Sequence, residues 1–159
     1  MVAKINTFAL NGLEVKQVIV EVDIRLGLPK FDIVGLGSKS VQESKERVKS
    51  AIKNSGFEFP SKAIIVNLAP ADLPKSSPSY DLPIAIGILI SSGQIKNISN
   101  NLYFWSEMSL DAKLKHSTGI LPIVEDLRWK DSEGFFFSID DSFEASLVRE
   151  VISYPAKNL

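Results

Sequence analysis

Cysteine is absent from the 159-residue chain and histidine occurs once, as His116. Without cysteine there is no disulfide framework, thiolate nucleophile, zinc finger or iron–sulfur cluster. A single imidazole cannot supply the paired histidines that many catalytic metals require. An excess of either charge is also missing: 18 Lys and Arg stand against 19 Asp and Glu, a net charge of -1. Any attraction to nucleic acid must therefore come from a local basic stripe. The longest apolar run, residues 82–90, falls far short of the roughly 20 residues that span a bilayer. The amino terminus lacks the apolar core of a signal peptide, so a cytoplasmic chain without membrane contact is expected. A chain of this length can bury roughly 68–70% of its unfolded surface, which predicts one domain over residues 1–159.

What is present patterns as α+β, with strands first. Residues 14–25 alternate, Val18, Val20, Val22 and Ile24 against Gln17, Glu21, Asp23 and Arg25, as a half-buried strand does. The preceding apolar segment ends at Asn11-Gly12, which predicts an antiparallel hairpin. A short strand over 31–36 follows. Ser40 with Glu43 three residues on reads as a capping box opening a helix that ends near Asn54-Ser55-Gly56. Residues 62–68 read as a strand buried on both faces. A Pro- and Ser-rich connection leads to a helix from Asp81 that is apolar all round and therefore central. Further on, strands are predicted at 103–110 and 135–139, and helices at 120–128 and 142–150, the last capped by Ser142.

Two catalytic patterns fail on inspection. The stretch Gly35-Leu36-Gly37-Ser38-Lys39 suggests a phosphate loop, but the two required glycine positions hold Ser38 and Ile33. No nucleotide site is assigned. The serines at 76, 77 and 79 could form a nucleophile only with a base in hydrogen-bond reach, and serine in a Pro-rich loop usually serves turn chemistry. A Ser-dependent protease is the alternative they keep open. His116 reads as a surface-loop residue, and Trp105 and Trp129 as core or interface anchors.

The first helix is strongly basic. Lys45, Lys49 and Lys53 recur every four residues and form one ridge, with Lys39 just before them, offset by Glu43 and Glu46. Such a ridge suits DNA phosphates or an acidic partner. A free-standing nucleic-acid-binding domain using this ridge is a further alternative.

Five ordered segments carry a family resemblance: GLPKFDIVGL at 27–36, VQESKERVKSAI at 41–52, NSGFEFP at 54–60, VNLAPADLPK at 66–75 and YDLPIAIGIL at 80–89. Over about residues 3–125 the chain resembles the amino-terminal region of the magnesium-chelatase-like ATPases of the ComM/YifB family. The resemblance implies a Lon-protease-like fold, related to the second domain of a small-subunit ribosomal protein, with a mixed sheet packed with helices. It implies that the chain is a fragment of a longer protein whose AAA+ module binds ATP and Mg. That module and neighbouring protomers in a ring would be its partners. Family members handle DNA, including branch migration during natural transformation, so DNA contact in the assembly is expected. Laid on the Lon pattern, Asp81 falls at the catalytic Ser and Leu121 at the Lys, which implies no catalytic residues, no cofactor and no metal in this chain. Asp81 is then expected to cap its helix, as Ser40 does the first. Ser106 to Ala112 and Gly37 depart from the family pattern, and the match fades after Val124.

Overall fold

Alternating burial on the hairpin organises the sheet. In a computed structural model that describes residues 2–35 and 37–159, β1 (Ala3–Asn11) and β2 (Glu14–Arg25) pair antiparallel around a Gly12-Leu13 turn, one residue beyond the expected Asn11-Gly12. Gly12 adopts φ +61°, the left-handed geometry such a turn requires. β3 (Lys30–Val34) and β4 (Ala63–Ala69) extend the sheet on one side. On the other come β5 (Leu102–Trp105), β8 (Gly134–Ser138) and β9 (Ser153–Ala156). The seven-stranded order is β3-β4-β2-β1-β5-β8-β9. Antiparallel pairing is confined to the contacts of β2 with β1 and β4; the remaining pairs are parallel. Two short strands, β6 (Glu107–Met108) and β7 (Leu114–Lys115), form a separate ribbon.

The helices are α1 (Lys39–Asn54), α2 (Asp81–Ser91), α3 (Ile120–Leu127) and α4 (Ser142–Ala145). α2 is the central helix its composition predicts, buried along almost its whole length against β1, β2, β5 and α1. Beneath it Val20, Val22 and Ile24 of β2 align with Leu68, Val66 and Ile64 of β4. Phe8 stacks on Tyr103 at 5.3 Å and meets Trp105 and Phe135 edge-on, so the second half of the chain is tied to the hairpin by aromatic contact. The architecture is α+β, a mixed sheet packed with helices.

Several sequence expectations need correction. β4 is not buried on both faces: Ile64, Val66 and Leu68 are buried, whereas Ile65 and Asn67 lie half-exposed beside β2. The outer face is polar enough for the Asn67 amide to donate to Glu21 at 2.9 Å. The strand expected over 103–110 breaks at Ser106 into β5 and β6, because the Ser106 N–H and C=O turn aside to Ser79 and Leu82. The helix expected over 142–150 is only Ser142–Ala145, entered from a 3-10 turn at Ile139–Asp141. Ser142 does not cap it; its hydroxyl donates back to the Ile139 carbonyl at 2.6 Å. Ser40 is not a cap either. It is the second residue of α1, which starts at Lys39 with Ser38 in the capping position and no side-chain cap bond. Leu36, the end of the strand expected over 31–36, lies outside the described residues; β3 ends at Val34. Among the described residues no helix is long and apolar enough to cross a membrane.

Candidate lysine cleft

α1 presents two faces of opposite chemistry. Val41, Val48, Ala51 and Ile52 are buried, and Arg47 reaches inward to α2. Lys45, Lys49 and Lys53 point the other way and line one open cleft of about 390 Å³. The opposite wall comes from β3 and the chain entering β4: Pro29, Lys30, Phe31, Phe59, Pro60 and Lys62. Phe31 and Phe59 lie 5.6 Å apart, tilted by 45°, and the Lys49 ammonium sits 6.0 Å from the centre of the Phe59 ring. Lys30 is neutralised by Asp32 at 2.6 Å. Among the described residues Lys45, Lys49, Lys53 and Lys62 have no carboxylate within ion-pair distance, so their charge faces the cleft, where Glu46 is the single acidic lining residue.

The structure therefore gathers three of the four basic residues singled out from the sequence and leaves out the fourth. Lys39 stands on the first turn of α1, 93% exposed, opposite Glu43 at 4.0 Å, and does not line the cleft. Lys62, Phe31 and Phe59 escaped the sequence reading because they join the ridge only through pairing of β3 with β4. Two phenylalanines and a lysine within residues 57–62 were the available signal.

Asp81 does not cap α2. It is the first residue of that helix and fully buried, and its carboxylate turns sideways to α1. Oδ2 accepts from Arg47 Nε at 2.6 Å and Oδ1 from Arg47 Nη2 at 3.1 Å, while the Met108 N–H donates to Oδ2 at 3.1 Å. A capping geometry would leave Arg47 unpaired beneath α1, which costs more than an uncapped helix start. Burial pushes the Asp81 carboxyl up, opposed by hydrogen bonds from Arg47, Ser44 and the Met108 N–H. The same contact raises Arg47, and we take the pair as ionised at neutral pH because the guanidinium stays charged and meets the carboxylate in a fork.

The serine cluster is engaged elsewhere. The Ser77 hydroxyl donates to Ser79 Oγ at 2.9 Å and accepts from the Ser79 N–H at 3.1 Å. The buried Lys75 amine, the nearest base in sequence, donates to the carbonyls of Gly35 and Pro70 rather than to either hydroxyl. Leu121 is partly exposed in a hollow with Leu13 and Trp129. Trp105 is a core residue whose Nε1 donates to the Thr118 carbonyl at 3.2 Å, whereas Trp129 is exposed. His116 is largely exposed at a loop, with Nδ1 against buried Asp141. Among the described residues no group of three or more His, Asp or Glu side chains converges as a metal site would need.

Fold and cleft together define a mixed-sheet α+β domain with a cationic groove beside one sheet edge. Residues 20–141 match the family model described as subunit ChlI of Mg-chelatase. The chain is 39% identical to competence protein ComM of Haemophilus influenzae over 152 residues, 95% of this chain and 30% of that protein. It is 43% identical to the uncharacterized protein YifB of Escherichia coli over 118 residues, 74% of this chain and 23% of that one. The uncharacterized protein Rv2897c of Mycobacterium tuberculosis is 36% identical over 143 residues, 88% of this chain and 28% of its own length. The chain belongs to the Mg-chelatase-like ComM/YifB family. It spans under a third of the length of these relatives.

Proposed function

We propose that this chain is a non-catalytic accessory domain of a Mg-chelatase-like AAA+ ATPase that processes DNA, and that its lysine cleft holds the phosphate backbone. The observation that carries the reading is the convergence of Lys45, Lys49, Lys53 and Lys62 on one groove without carboxylate partners. Unpaired cations at helical spacing match the periodic negative charge of a nucleic acid strand, and their release of counterions drives binding. The name of the Haemophilus relative, a competence protein, agrees with a role in DNA handling. ATP and Mg would be bound by the AAA+ module of the longer protein, with neighbouring protomers in a ring as partners, in the cytoplasm. The mixed sheet is consistent with a Lon-protease-like fold. A single domain with three or four phosphate contacts binds weakly, and a ring raises affinity by presenting many copies to one strand.

Lysine-reactive footprinting of the assembled ATPase tests the reading. DNA should protect Lys45, Lys49, Lys53 and Lys62 while leaving exposed Lys115 and Lys157 reactive. Equal modification of all six with and without DNA would contradict it.

A further inference from the structure

The cleft is not lined by cations alone. Phe31 and Phe59 also line it, half-buried and tilted against one another, with the Lys49 ammonium over the Phe59 ring. A lysine ridge that only meets phosphates has no use for two recessed aromatic rings, and a duplex cannot reach them, because its base faces are stacked inside and only edges and phosphates are presented. A single strand can turn its bases outward onto aromatic side chains while its backbone follows a cationic groove. The dimensions agree: about 390 Å³ lies at the lower end of the roughly 300–1,000 Å³ range of small-ligand pockets, enough for bases to enter but not a double helix. The Lys49 ammonium over the Phe59 ring places cation and ring side by side, as a nucleotide presents phosphate and base.

We propose that the cleft between α1 and β3 is a single-strand site, in which unpaired bases stack on Phe59 and Phe31 while Lys45, Lys49, Lys53 and Lys62 hold the phosphates. This rests on the phosphate-binding reading of the same cleft and adds to it a choice of strand state. Phe59 sits where the chain returns from α1 to β4, and Phe31 at the outermost strand of the sheet, so both rings border an open side along which a strand can enter and leave.

The test uses this chain at low salt with three probes of equal length: a deoxyadenosine strand, an abasic strand with the same phosphates, and a duplex. Stacking predicts that the deoxyadenosine strand binds at least about fivefold tighter than the abasic strand, and that Phe59→Leu brings that ratio towards one. The wild-type comparison needs no variant, so a poorly folded Phe59→Leu protein does not spoil it. Equal binding of the base-bearing and abasic strands overturns the single-strand site and leaves the phosphate reading standing. A preference for duplex overturns it as well. If none of the probes binds, or if Lys45, Lys49 and Lys53 changed to Ala bind all of them as before, both readings fail together.

Discussion

Arg47 and Asp81, 34 residues apart in sequence, meet in a two-bonded fork beneath the lysine-bearing face of α1. The consequence is mechanical. The fork fixes the rotation of α1 about its axis against α2, and that rotation decides where Lys45, Lys49 and Lys53 point. Met108 adds a third bond to the same carboxylate, so β6 is anchored at the same point. A buried charge pair is costly to break by removing one partner, because the other charge is left uncompensated.

Removing one partner should therefore be costly. Asp81→Ala leaves the Arg47 charge without its carboxylate and the Met108 N–H without an acceptor, and we expect a loss of about 3–5 kcal/mol in chemical denaturation, more than a lost helix cap would give. Arg47→Met should also destabilise. The double change should cost less than the two singles together, with a coupling of roughly 0.5–3 kcal/mol. Strict additivity would show that the fork is not energetically coupled.

Gly87 sets how closely α2 lies on the sheet. A Cβ there would stand 2.5 Å from Val22 Cγ2 and 3.5 Å from Ile5 Cγ1. Alanine is the better helix former by about 1 kcal/mol, yet Gly87→Ala should destabilise by about 1–3 kcal/mol, because a branched core side chain must give way. A raised melting temperature would contradict the close approach.

Lys75 is buried with its amine on two backbone carbonyls, joining the segment after β3 to the segment after β4. Lys75→Met strands those acceptors and should cost about 1–3 kcal/mol. Burial pulls this amine below its ordinary 10.5, opposed by Asp72. Between the lowered folded value and 10.5 the unfolded chain holds more protons, so the stability contributed by this group is lowest below the folded value and rises with pH up to 10.5. The gap between wild type and Lys75→Met should accordingly widen in favour of wild type on the alkaline side, as paired urea titrations across that range would read.

The legible parts of the chain were those set by local pattern. The alternation in β2, a hairpin turn at Gly12 and the all-apolar α2 each follow from local pattern. The ridge of Lys45, Lys49 and Lys53 was legible for the same reason, since residues four apart share a helix face. What the pattern could not carry was long-range pairing. Asp81 at a helix start reads as a cap until Arg47 arrives from another helix, and Ser40 reads as a cap until α1 begins one residue earlier. Lys62 and Phe59 look unremarkable until β4 sets them beside α1. The late strands β7 and β9 are too short to show a period, and β9 is held by pairing with β8 along a Phe-rich edge.

The most direct test of the central claim is the salt dependence of DNA affinity for the full-length protein, with Lys45, Lys49 and Lys53 intact or all changed to Ala. Three phosphate contacts per domain predict that the triple change weakens binding and makes the slope of log affinity against log salt shallower, by about 2.7 on duplex or about 2.1 on single strands for each engaged domain. Equal affinity and equal slope in the two proteins would contradict the account and leave the lysine face of α1 outside the DNA interface.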